Sequence, residues 1–96
     1  MPVAERWRRA EDVLWRRSLD TVIVLPPRLD EPLTLAATGP AVWDALATER
    51  PFDDLVEALA RDHGAQPAAV APDVRALLEQ LEDVGVVVRV QPDATR

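Results

Sequence analysis

The sequence predicts an α+β domain in which a three-stranded antiparallel sheet over residues 13–36 is followed by three helices. Three observations carry this. Thr21-Val22-Ile23-Val24-Leu25 is apolar and β-branched almost throughout, bounded by Ser18-Leu19-Asp20 and by Pro26-Pro27, the composition of a strand between turns. Between Leu33 and Leu46 the hydrophobic period changes: Leu33 and Leu35 alternate around Thr34, then Val42, Trp43 and Leu46 recur at helical spacing. Two further segments with a helical period follow, one stopping at Gly64 and the other at Gly85.

Residues 1–11 are charged and contain Trp7, and they read as an N-terminal arm, mobile or loosely docked, whose tryptophan covers a core edge. Val13-Leu14-Trp15-Arg16-Arg17 is the first strand, and Asp20 is expected to close the next turn with side-chain hydrogen bonds. The unbroken apolar character of residues 21–25 predicts a central strand buried on both faces. Pro26 and Pro27 end it, because neither can donate to a ladder. Leu33 to Ala36 forms the third strand, and Pro32 at its start suits an edge, leaving one side unpaired. Short connections make the three an antiparallel meander.

Thr38 or Gly39 can cap the first helix, over residues 39–47, with Pro40 at the first helical position, where its missing N–H costs nothing. The segment Thr48-Glu49-Arg50-Pro51 breaks it. In the second helix Phe52, Leu55, Val56 and Leu59 share one face, and Asp53 and Asp54 favour the positive end of the helix dipole. The third spans about 67–84, with Val70, Val74, Leu77, Leu81 and Val84 on the core stripe and Leu78 on its shoulder. Pro72 predicts a kinked or separate first turn over 67–71, since an interior proline removes a helical bond. Val86 to Val90 can form a fourth strand, and residues 91–96 read as a flexible tail. The expected core is Val22 or Ile23, Leu35, Val42, Trp43, Leu46, Leu55, Leu59, Val74, Leu77 and Leu81.

Ninety-six residues suit a single domain that buries about two thirds of its unfolded surface. There is no cysteine, hence no disulfide framework, and no apolar run reaches the length of a signal peptide core or a membrane span. A cytoplasmic protein is the expectation. The net charge is −6, and it is unevenly spread: Arg6, Arg8, Arg9, Arg16 and Arg17 crowd the first 17 residues, while acids dominate the remainder. An acidic body repels phosphate backbones, which argues against nucleic acid as a partner.

Nothing in the chain reads as catalytic machinery. His63 is the only histidine and sits at a helix end, where a cation is favourable; metal sites gather several ligands. The three glycines mark helix boundaries, so no phosphate-cradling loop exists. Trp43 reads as core. The expectation is a non-enzyme needing no cofactor and no metal.

The element order, with Leu33-Thr34-Leu35, then Thr38-Gly39-Pro40-Ala41-Val42-Trp43-Asp44-Ala45-Leu46, then Phe52 to Leu59, and finally Asp73-Val74, Leu77-Leu78, Leu81 and Gly85-Val86-Val87, resembles the PqqD-like family, in which a strand leads into a T-G-A-x-[IV]-W-x-x-L helix. The resemblance covers about residues 13–88. These proteins are also called RiPP recognition elements, after ribosomally synthesised and post-translationally modified peptides. It implies a winged-helix-like domain that binds the leader segment of a precursor peptide as an extra strand beside the third strand and against the third helix. The peptide is then presented to a separate maturation enzyme, a radical-SAM protein or, in the stand-alone lasso-peptide type, a protease and cyclase. The expected peptide-binding residues are Leu33, Thr34 and Leu35 on the strand, with Ala71, Arg75, Leu78 and Glu82 on the helix. A winged-helix nucleic-acid binder and another protein-interaction module are the alternatives. The first suffers from Asp73, Glu79, Glu82 and Asp83 on the helix that would read the groove.

Overall fold

A computed structural model describes residues 5–90. The fold is α+β and winged-helix-like, a three-stranded antiparallel sheet followed by helices. Six strands and three helices are present among the described residues: β1 (Arg6–Arg9), β2 (Trp15–Ser18), β3 (Thr21–Val24), β4 (Leu33–Leu35), α1 (Gly39–Ala45), β5 (Arg50–Pro51), α2 (Phe52–His63), α3 (Pro67–Asp83) and β6 (Val87–Val90). They make two separate sheets, β2-β3-β4 and β5-β1-β6.

The first sheet is the predicted meander, with β3 central and both pairings antiparallel. Its burial differs from the expectation. Val22 and Val24 are fully buried, whereas Ile23 is half-buried and Leu25 is 45% exposed. Alternate residues point to opposite faces, and the helices cover only the face that carries Val22, Val24 and Leu35. The β2–β3 turn is closed by Thr21, whose hydroxyl donates to the Ser18 carbonyl at 2.9 Å, rather than by Asp20. Leu19 takes a positive φ of 56° there.

The strand-to-helix junction is tight. Gly39 N–H donates to the Ala36 carbonyl at 2.9 Å, and the Val42 N–H to that of Thr38 at 3.1 Å. Thr38 is the cap by position, and its side chain makes no capping bond. Gly39 is required by packing: a Cβ there would lie 2.9 Å from the Leu35 Cβ. The α2 helix begins with Asp53 and Asp54 and ends at Gly64, left-handed with φ 63°.

Two corrections concern the ends. Arg6–Arg9 is not a loose arm: β1 is the central strand of the second sheet, paired with β6 on one side and β5 on the other, and Trp7 is wholly buried. The expected fourth strand exists as β6 but joins β1 rather than the meander. The predicted tail 91–96 lies outside the described residues. A third correction concerns Pro72. The helix runs unbroken from Pro67 to Asp83 with Pro72 inside it. The fixed φ of proline is itself helical, and burial of Val74, Leu78 and Leu81 holds the segment in place.

Two rings and a guanidinium join the layers. Trp43 is fully buried and meets Trp15 edge to face, with centroids 5.8 Å apart. Arg9 stacks 4.6 Å above Trp43 and 4.9 Å above Trp15, and donates two bonds, of 3.0 and 2.8 Å, to the Trp43 carbonyl. Burial pushes the Arg9 pKa below its ordinary value, Asp44 opposes this, and Arg17 adds to it.

Candidate functional site

The β4 strand has a ladder partner on one side only, β3. Along its other side runs an open cleft of about 390 Å³. Leu33, Thr34, Leu35 and Ala36 form one wall, and Leu77, Gln80, Leu81 and Val84 of α3 and its C-terminal turn form the other. No charged side chain lines it. Unpaired N–H and C=O groups on an edge strand favour pairing with another chain, and a cleft with apolar walls can take the side chains that such a strand sends inward.

Of the residues expected from sequence, Leu33, Thr34 and Leu35 lie on this cleft. The four helix residues do not. Leu78 is completely buried, on a stripe with Val74 and Leu81 at i, i+4 and i+7. Arg75 is committed elsewhere: its guanidinium is 3.1 Å from Glu5 and 4.3 Å above the Phe52 ring. Ala71 borders a different hollow, with Phe52, Val56 and Pro67. Glu82 accepts a bond from Arg89 at 3.1 Å. The stripe expected from sequence shares Val74 and Leu81 with the buried face and differs in taking Leu77 where the structure buries Leu78, the adjacent position about 100° round the helix. The helix-side cleft residues absent from the expected peptide site are Leu77, Gln80, Leu81 and Val84; Leu77, Leu81 and Val84 belong to the expected core stripe.

The acids of α3 are partly neutralised from within. Arg89 reaches Glu5 and Glu82 at 3.1 Å and Glu79 at 3.9 Å, and it packs over Trp7 at 4.7 Å. This network pins β6 and the residue before β1 onto α3. Among the described residues, no cluster of three or more His, Cys, Asp or Glu stands where it could hold a metal ion, and no helix is long and apolar enough to cross a membrane.

The architecture is that of a small winged-helix-like α+β domain with an unpaired strand edge beside an uncharged cleft. The family model for Coenzyme PQQ synthesis protein D (PqqD) matches residues 21–87, and the chain belongs to that family. The matched span opens with β3 and closes at the start of β6, so β1 and β2 fall outside it. No curated protein and no solved structure matches the chain. Membership suggests a role in precursor-peptide binding.

Proposed function

We propose that the chain binds the leader segment of a ribosomally made precursor peptide by strand addition on β4, and presents it to a separate maturation enzyme. That enzyme would be a protease and cyclase in the stand-alone lasso-peptide setting, or a radical-SAM enzyme in cofactor synthesis. The single observation that carries the reading is the unpaired edge of Leu33-Thr34-Leu35 opening onto the cleft against Leu77, Gln80, Leu81 and Val84. Backbone bonds along the edge supply affinity, and the walls select side chains at alternate positions. Nucleic acid is disfavoured because α3 carries Asp73, Glu79, Glu82 and Asp83 while Arg75 is held by Glu5.

The test is fluorescence anisotropy with fluorescein-labelled leader segments of candidate precursor peptides sought among the neighbouring genes. Leu77 is half-buried at the edge of the core, so Leu77→Glu places a carboxylate in the cleft, and far-UV circular dichroism verifies that the variant folds. Desolvating that charge should weaken binding by about tenfold or more. Arg75→Glu, away from the cleft, should leave the affinity within about twofold, a difference of ~0.4 kcal/mol. Equal affinity for wild type and Leu77→Glu would remove the peptide from this cleft. Salt-dependent binding of mixed-sequence duplex DNA would favour the nucleic-acid alternative.

A further inference from the structure

We infer that Arg28 is a positioning residue for the peptide, holding the two walls of the cleft at the separation that an added strand requires. This rests on the strand-addition reading above. The walls belong to separate elements, β4 and α3. Among the described residues, the only hydrogen bonds between the segment 15–36 and α3 are two that Arg28 makes. Its Nη1 donates to the Glu82 carbonyl at 3.3 Å and to the Asp83 carbonyl at 3.2 Å. No ion pair among the described residues crosses this join. The remainder is the apolar cluster that takes in Leu35, Leu78 and Leu81, and apolar packing is non-directional, so it fixes no particular separation.

The chain builds this tie locally. Pro26-Pro27-Arg28-Leu29 is a turn, closed by the Leu29 N–H on the Pro26 carbonyl at 3.3 Å, with proline at its second position, where a fixed φ is favoured. The turn lies against Gly85, whose missing side chain admits it: a Cβ there would stand 2.9 Å from the Pro27 Cγ and 3.5 Å from the Arg28 Nε. The last carbonyls of a helix lack partners within it. The N–H groups of Val84, Gly85 and Val86 turn back to Gln80, Leu81 and Glu82 and leave Asp83 to Arg28. A cation at this end also suits the helix dipole.

Its place in the fold makes the tie matter to the cleft. Thr38, beyond the end of β4, shares a hollow with Val70, Asp73 and Val74. Arg28, before the start of β4, reaches the opposite end of the same helix. The strand and α3 therefore run antiparallel, and Arg28 joins them beside Leu33 and Val84, which face each other across the cleft. Pro32 immediately before Leu33 stiffens the connection from the turn to the strand. A peptide that met unfixed walls would have to order them as it bound, at a cost in affinity; walls set beforehand avoid it.

The experiment compares Arg28→Ala, Arg28→Lys and Gly85→Ala by fluorescence anisotropy, using whichever fluorescein-labelled leader segment binds the wild-type chain. Arg28→Ala should weaken binding about fivefold. Arg28→Lys should stay within about twofold, since both bonds leave one nitrogen and an ammonium can make them. Gly85→Ala displaces the turn while keeping the cation, and should weaken binding as well. The double variant Arg28→Ala/Gly85→Ala should lose little more than the larger single loss, because both changes release one contact. The chain has no cysteine, so nitroxide labels on Thr34→Cys and Gln80→Cys report the separation of the walls without any peptide. Arg28→Ala should broaden that distribution of distances, and Arg28→Lys should restore it. A loss of urea stability with affinity and label spectrum unchanged would make Arg28 a helix cap alone and overturn the inference. A loss of affinity that disappears at high salt would make it a direct contact to an acidic peptide, and overturn it too. Binding that Leu77→Glu abolishes and Arg28→Ala leaves intact would keep the strand-addition reading and sink this inference. Failure of every leader segment to bind the wild-type chain would sink both.

Discussion

Truncation of Trp43 tests the packing on which the site is mounted. The ring is wholly buried, and an aromatic-to-alanine change in a core costs about 3–5 kcal/mol. Trp43→Ala also removes the edge-to-face contact with Trp15, worth about 0.5–1.5 kcal/mol. The Arg9 guanidinium 4.6 Å above the ring adds about 0.5–1 kcal/mol. One term opposes these. The Trp43 Nε1 is buried with no hydrogen-bond partner, a cost of about 1–3 kcal/mol that the native state already carries. The loss for Trp43→Ala should therefore centre near 4 kcal/mol. Trp43→Phe keeps a ring and deletes the orphan donor, so it should cost about 1–2 kcal/mol. Urea denaturation followed by far-UV circular dichroism measures both, without relying on the fluorophore being removed. A small domain is stable by about 5–15 kcal/mol, so the alanine variant should still fold. A loss below about 1 kcal/mol for alanine, or an equal loss for both variants, would refute the account of Trp43 as an unsatisfied but dominant core ring.

Trp7→Ala should cost about 3–5 kcal/mol by the same denaturation assay, because β1 is a buried central strand and not an arm. Gly85→Ala should cost about 1–3 kcal/mol: its φ is +89° and the added Cβ would sit 2.9 Å from the Pro27 Cγ. Arg75→Ala should lower stability by about 1 kcal/mol or less, and less still at high salt, since its pair with Glu5 is partly exposed; thermal melts in low and high salt would show it.

The meander and the turn into α1 are legible because their signals are local. Thr21 to Val24 are β-branched, and Gly39-Pro40 marks a helix start with no help from tertiary structure. The β1 strand is not legible. Arg-Trp-Arg-Arg offers one apolar side chain, and what makes it a strand is pairing with residues at the far end of the described chain, such as Arg6 with Val90. The cleft is half legible. Pro32 points to a free edge on β4, but the choice between Leu77 and Leu78 depends on how α3 is rotated against α2 and the sheet. That rotation is a matter of packing, α3 lying against α2 and β6, and not of any residue of the helix alone. Arg75 is misplaced for the same reason: its partners, Glu5 and Phe52, come from segments that sequence spacing does not bring near it.

The β1–β6 ladder has a consequence for how the chain is made and lost. During synthesis Trp7 emerges well before Val87 to Val90, against which its strand must pair. Closing so long a loop is slow, because its entropy is spent before its contacts are gained. The meander and the helices, whose contacts are nearer in sequence, can assemble first, and the clasp follows. Substitutions in β1 should then accelerate unfolding while leaving the folding rate nearly unchanged. Until β6 arrives, the nascent chain carries a tryptophan between arginines without the strand that covers it.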